Sequence, residues 1–219
     1  MKRLACLFFL TVLAAGCHGM GAQIRGSGKR ERQKRTVAPF TSISTEGAFS
    51  IEITCQKELS LEVEGDDNVL EYVTNDVSGN VLRLKSSKRY STSEPVKFRI
   101  SVPNIEGFSL NGAGRVDIKD MKNDRFEIDA NGAPVISVSG TTKTIDIGVN
   151  GAGKIDATKL HVARAVVDAN GAGIVDLEVS DQLDATVNGP STVTYKGDPV
   201  VNKNVRGPGR VERRGGEGA

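Results

Sequence analysis

The chain has 219 residues, 38% hydrophobic and 26% charged, which fits one folded domain or at most two and excludes a multi-span membrane protein and a fully disordered chain. The formal charge of +2 is a cancellation between parts of opposite sign. Residues 24–35 hold six cations against one Glu, residues 36–205 hold 17 cations against 24 carboxylates, and residues 206–219 hold four Arg against two Glu.

Met1-Lys2-Arg3 opens the chain, followed by an apolar run of 12 residues, Leu4 to Ala15. That run is shorter than the roughly 20 residues a bilayer-spanning helix needs. It fits the apolar region of a secretory signal, which is removed. Leu13-Ala14-Ala15-Gly16-Cys17 resembles the bacterial lipobox, with Leu one place further from the Cys than usual. The resemblance implies a signal over residues 1–16 and a diacylglycerol on the Cys17 thiol. The alternative is a conventional signal peptide cut after Ala22. His18, by resemblance to enteric sorting rules, implies delivery to the outer membrane. The partner expected here is the membrane, reached through lipid, with the periplasmic or surface face left open.

Residues 17–35 follow as a lipid-anchored basic segment. Its part from residue 24, IRGSGKRERQKR, reads either as a solvated tether or as a first edge strand. An anionic bilayer surface would attract so basic a stretch. With Cys6 in the signal and Cys17 acylated, Cys55 stands alone, so no internal disulfide is expected. It reads as a buried structural thiol.

Strand-like alternation then runs through Leu59 to Val63, Val81 to Leu84 and Val96 to Val102. Only a short stretch near Val69 to Val73 could be helical. Lys85 to Pro95, rich in Lys, Arg and Ser, reads as an excursion from the body.

The strongest signal is a repeat. Asn-Gly-Ala-Gly occurs at 111–114, 150–153 and 170–173, with variants at Asn131-Gly-Ala-Pro134, Asn188-Gly-Pro-Ser191 and Arg206-Gly-Pro-Gly209. The intervals are 20, 19, 20, 18 and 18 residues. Three places before each corner stand Phe108, Ile128, Ile147, Val167 and Ala185; five places after it stand Val116, Ile136, Ile155, Val175, Val193 and Val211. Polar residues fill the alternate positions, so each unit reads as strand, tight corner, strand, with one buried face. A unit of this kind buries its apolar face only by stacking on its copies, about 4.8 Å apart. The expected fold is all-β, a right-handed parallel β-solenoid of about 18–20 residues per coil and about eight coils, over residues 36–211. Glu46-Gly47 matches the corner position one stage earlier, and the 65 residues between it and Asn111 leave room for about three divergent units. The competing fold is an antiparallel sandwich or meander, since Asn-Gly is also a strong hairpin signal. Gly112, Gly132, Gly151, Gly171 and Gly189 would supply the corner conformation. Asn111, Asn131, Asn150, Asn170 and Asn188 would form an amide ladder inside the corner. Residues 212–219 are expected to be a disordered tail.

Val37-Ala-Pro-Phe-Thr-Ser-Ile43, Gly47-Ala-Phe-x-Ile51-Glu-Ile53, Val102-Pro-Asn104 and the repeated Asn-Gly-Ala-Gly-x-Val-Asp together resemble the bacterial GIN domain, described as a putative auto-transporter adhesin head. The resemblance spans about residues 24–211. It implies an exported, often lipid-anchored, β-helical protein, and it brings no catalytic residues. Ser-Gly-Ala-Gly is the usual corner there; Asn takes the place of Ser here. Ile24-x-Gly26-Ser-Gly28 implies a first strand leading into the domain.

Chemistry-bearing clusters are scarce. Zinc needs several Cys or His, and the body offers Cys55 and His161. His161 reads as a lone solvent-facing side chain. Asp156 and Asp176 would stack on adjacent rungs and are the residues a calcium ion would use, but calcium takes six to eight oxygens and this column supplies few. Gly-Ala-Gly lies between strands, not before a helix, so it is no phosphate loop. No cofactor is expected, and the acidic body together with export argues against nucleic acid. The function expected is a non-catalytic envelope module for adhesion, binding or scaffolding of an unidentified envelope or extracellular ligand. The alternative is a carbohydrate-active β-helix enzyme, which needs paired carboxylates beside a positive or aromatic subsite. The acidic residues recur by repeat position, and only Tyr72, Tyr90 and Tyr195 are available as larger polar aromatics.

Overall fold

The structure is a computed structural model and describes residues 23–215. The signal and Cys17 lie outside the described residues, as do residues 216–219 of the tail. In chain order the elements are Ile24–Arg25 (β1), Arg30–Arg35 (β2), Ser42–Gly47 (β3), Ser50–Thr54 (β4), Ser60–Asp66 (β5), Asp67–Leu70 (α1), Val73–Ser78 (β6), Val81–Ser86 (β7), Tyr90–Ser91 (β8) and Lys97–Ser101 (β9). Gly107–Gly112 (β10), Arg115–Gly132 (β11), Val135–Gly151 (β12), Lys154–Gly171 (β13), Ile174–Asn188 (β14), Thr192–Lys196 (β15), Val200–Arg206 (β16) and Arg210–Arg213 (β17) complete the chain.

Two parallel stacks enclose the core. One holds β7, β3, β10, the C-terminal parts of β11 to β14, and β16. The other holds β9, β4, the N-terminal parts of β11 to β14, then β15 and β17. The middles of β11 to β13 form a third side. Register follows the repeat: Glu46, Asn111, Asn131, Asn150, Asn170, Asn188 and Arg206 are successive partners. Both pairings across Asn150-Gly151 are parallel, so the chain is a β-solenoid and the antiparallel meander is excluded.

Period-2 alternation drives the packing. Phe108, Ile128, Ile147, Val167 and Ala185 form one inward column, each at most 3% exposed. Each such aliphatic or aromatic side chain contributes roughly 1.5–3 kcal/mol on full burial. The column narrows from Phe to Ala along the stack. Phe40, Phe49, Phe98 and Phe126 also sit toward the N-terminal end, where the Phe49 and Phe98 rings meet edge to face with centroids 5.3 Å apart.

Each stack is eight strands deep, matching the eight coils expected from sequence in depth, but only about five turns are solenoid. The difference lies between Thr54 and Gly107. There β7 and β9 do add parallel to the stacks, but β5 runs antiparallel to both β9 and β2, and β6 runs antiparallel to β7. Alternation marks a strand with one buried face, whichever direction it runs. This segment therefore closes the N-terminal end as a cap. The helical stretch is α1, a single turn starting at Asp67. The basic run forms β2 on the cap's edge, so this part of the chain is strand and not tether. At the other end β17 continues to Arg213, two residues beyond the expected boundary.

Candidate functional site

The repeated corner is the most regular feature, and its chemistry is structural. Gly132 and Gly151 have φ of +110° and +123°, a region costly for any side chain. A Cβ on Gly151 would stand 2.3 Å from the Gly132 carbonyl oxygen. That same oxygen accepts the Ala152 N–H at 2.8 Å, and the Gly151 oxygen accepts the Ala172 N–H at 2.8 Å. Each coil thus rests its corner on the carbonyl below, leaving no room for a side chain.

The amide ladder is present but faces outward, not into the corner. Leu110, Ala130, Val149, Ala169 and Val187 point inward and are buried, so by alternation the Asn one place later faces solvent. Asn150 Nδ2 donates to Asn131 Oδ1 at 3.0 Å, Asn170 to Asn150 at 3.2 Å, and Asn188 to Asn170 at 2.8 Å. Asn111 stands one rung below, in register with Asn131.

A groove of about 1070 Å³ opens on the third side. Its walls carry Glu106, Lys122, Asp124, Arg125, Glu127 and Lys143. Two of its cations are paired: Lys143 with Asp124 at 2.8 Å, and Arg125 with Asp146 at 3.1 Å. Asn123 is fixed by donating Nδ2 to the Ile105 carbonyl at 2.7 Å. No aromatic side chain lines the groove. Here β11 and β12 slip in register, between Ile118 and Met121 and between Ser137 and Ser139. Sequence reasoning missed this concavity because its residues come from the part of the coil that repeats least. Unequal repeat intervals were its only trace.

The two Asp residues considered for calcium have protein partners instead. Asp156 accepts from the Thr158 hydroxyl at 2.6 Å and its N–H at 3.1 Å, bonds that lower its pKa. Asp176 pairs with Arg214 at 2.9 Å. Among the described residues no three His, Cys, Asp or Glu side chains form a metal-binding group. His161 is exposed and meets Glu178 through Nδ1 at 3.0 Å. Cys55 is buried, and burial pushes its thiol pKa up to about 11.

The charge of residues 24–35 divides into spent and unspent cations. In β2, Arg30, Arg32 and Lys34 lie opposite Asp66, Glu64 and Glu62 of β5. Arg32 reaches Glu64 at 3.0 Å and Glu62 at 3.3 Å; Arg99 of β9 reaches Glu64 at 2.8 Å and Glu62 at 3.2 Å. Hydrogen bonds from Arg99 and Arg32 hold the Glu64 pKa down at about 2. Arg35 donates to the Leu70 carbonyl at 3.0 Å and to Asn75 at 2.9 Å. Asp66 is fully buried, accepts the Gly28 N–H at 3.0 Å and faces Arg30 at 3.7 Å. Its carboxylate fills the space a Cβ on Gly26 would need, 2.1 Å away. Thus the basic run is an edge strand matched to an acidic neighbour. Arg25, Lys85, Lys88 and Arg89 keep their charge unpaired at the same end.

The family described as "Putative auto-transporter adhesin, head GIN domain" matches residues 39–199. Among solved structures, a "putative adhesin" from Bacteroides fragilis NCTC 9343 superposes with a TM-score of 0.70 at 22% identity, covering 87% of this chain and 100% of that one. A "putative adhesin" from Parabacteroides merdae ATCC 43184 follows at 0.56 and 18%, covering 88% and 99%. A "putative lipid binding protein" from Parabacteroides distasonis ATCC 8503 gives 0.53 and 19%, covering 89% and 100%. At these identities the likeness is one of fold. Curated proteins yield no match.

Proposed function

Because this chain belongs to the GIN-domain family of described auto-transporter adhesin heads, we propose that it is an exported, non-catalytic envelope lipoprotein that presents a β-solenoid for binding. The observation that carries this reading is the spread of its polar side chains. Carboxylates recur at repeat positions, as Asp117, Asp156 and Asp176 on one stack, interrupted by Ser137, and as Glu127, Asp146 and Asp184 on the other, interrupted by Val166. They do not converge on a single centre. The third-side groove, which alternates cations with carboxylates, is the recognition surface in this reading, suited to a polar ligand with both charges. The adhesin name of the family supports binding over catalysis. The lipobox-like Leu13 to Cys17 supports attachment through a diacylglycerol on Cys17, with the outer membrane as the destination.

The test is fractionation of cells expressing the full chain and a Cys17→Ser variant, with surface proteolysis on intact cells. The wild type is expected in the membrane fraction and the variant in the soluble fraction. Equal membrane partitioning of both would rule out the lipid anchor.

A further inference from the structure

The cap end of the solenoid carries cations that no carboxylate neutralises. β1 lies against β8 through the Ile24 N–H on the Arg89 carbonyl at 2.9 Å and the Gly26 N–H on the Ser91 carbonyl at 2.8 Å. Arg25 on β1 therefore stands beside Arg89, the residue that immediately precedes β8. Lys88 lies one residue before, its ammonium 4.1 Å from the centre of the Tyr72 ring. Lys85 projects from β7, which leads into the same loop. All four are exposed, and none has an ion-pair partner among the described residues. By contrast Arg30, Arg32 and Arg35, close by in sequence, are held by internal carboxylates and carbonyls. Exposed carboxylates flank the patch in sequence at Glu71, beside Tyr72, and at Glu94, which faces Arg30 at 3.9 Å.

This patch is also where the chain enters the fold. Gln23 donates its side-chain amide to the Tyr90 carbonyl at 3.1 Å. If the mature chain starts at Cys17, residues 18–23 separate the lipid-bearing residue from β1. At about 3.5 Å per extended residue they reach roughly 20–25 Å. The cap is then the end tethered to the bilayer, and the last coil, about five turns away, is the far end.

We propose that Arg25, Lys85, Lys88 and Arg89 form a docking surface for anionic phospholipid headgroups. Docking stands the solenoid on the membrane by its N-terminal cap. The third-side groove and the last coil are then presented away from the bilayer. A second copy of the chain is the wrong occupant, because the last coil is itself cationic through Lys203 and Arg206, which are exposed and have no ion-pair partner among the described residues. Placing it on the cap would bring like charges together. The cellular setting of this surface rests on the lipid-anchor reading; the binding chemistry does not.

The experiment uses the unlipidated chain, residues 18–219, which contains every described strand, and sedimentation with vesicles. One set of vesicles is phosphatidylcholine, the other phosphatidylcholine with phosphatidylglycerol. Binding is expected only to the phosphatidylglycerol vesicles, and to weaken as salt shortens the range of the attraction. Each cation near an anionic surface is worth roughly fivefold in affinity, so Arg25→Gln/Lys88→Gln/Arg89→Gln should lose about a hundredfold. Lys154→Gln/Lys159→Gln/Arg164→Gln, which removes as much charge from the coils, should bind like the wild type. Should the cap variant unfold, as read by circular dichroism, Arg25→Gln alone should lose roughly fivefold. Indifference of the wild type to phosphatidylglycerol, or an equal loss in the coil variant, overturns the proposal. Fractionation of Cys17→Ser tests the anchor separately, so failure of either reading leaves the other standing.

Discussion

Gly151→Ala is the most informative single change in the stack. The added Cβ would stand 2.3 Å from the Gly132 carbonyl oxygen, where contacts below 3.0 Å are essentially never seen. One of the two coils must move by close to an ångström. That movement strains two short bonds, Ala152 N–H to Gly132 O and Ala172 N–H to Gly151 O, both 2.8 Å. A weakened buried hydrogen bond costs about 0.5–1.5 kcal/mol. Holding Ala at φ near +123° adds about 1–3 kcal/mol of backbone strain. Overpacking against backbone adds about 1–3 kcal/mol more. The expected loss is roughly 3–6 kcal/mol, a large part of the 5–15 kcal/mol that holds a typical domain together. Urea unfolding followed by the β-sheet circular dichroism signal measures it through the midpoint, provided the slope is unchanged. Asn150→Ala, one residue away, removes two exposed ladder bonds and should cost about 1 kcal/mol. If Gly151→Ala costs no more than Asn150→Ala, the corner does not rest on the carbonyl below and the reasoning fails.

Acid should loosen the cap. The Glu64 pKa is lowered from 4.5 to about 2, so its pairing stabilises the fold fully above pH 4.5 and is lost as pH falls toward 2. In urea titrations at stepped pH, Glu64→Gln should lack that part of the acid-dependent loss; an identical slope in both proteins would refute it. Cys55, with its thiol pushed up to about 11 and buried, should resist a thiol reagent at pH 8 until the chain unfolds. Fast labelling of the folded protein would contradict this. Lys203 and Arg213 take the column positions that Ala185 and Tyr195 hold one coil earlier, which places charge on the exposed end of the core. Lys203→Val/Arg213→Leu should therefore associate with increasing concentration in light scattering, while the wild type should not; a monomeric variant would show that other features protect this end.

Much of the body was readable because each coil restates the same instruction. Phe108, Ile128 and Ile147 share an inward column, and Gly132 and Gly151 share a corner, so any one unit locates the others. The cap was harder, because direction is not encoded in alternation. One local sign did mark the turn-back: Gly79-Asn80, with φ of +59° and +65°, is the two-residue loop joining β6 to β7. The charge of residues 30–35 was visible, but its purpose was not, since Glu62, Glu64 and Asp66 meet it only through antiparallel pairing. Gly26 likewise makes sense only once the Asp66 carboxylate is seen beneath it, whereas Gly28 answers to its φ of +79°. The groove was hidden because it forms where neighbouring coils differ. Facing of the Asn ladder followed directly from alternation with Leu110 and Val149, and the expectation of an inward ladder set that rule aside.

Mass spectrometry of the mature N-terminus tests most directly how the solenoid is held to the cell. Protein recovered from the membrane fraction of expressing cells is expected to begin at Cys17 and to carry the mass of a diacylglycerol on that residue. A soluble product beginning at Gln23, with no added lipid mass, would contradict it.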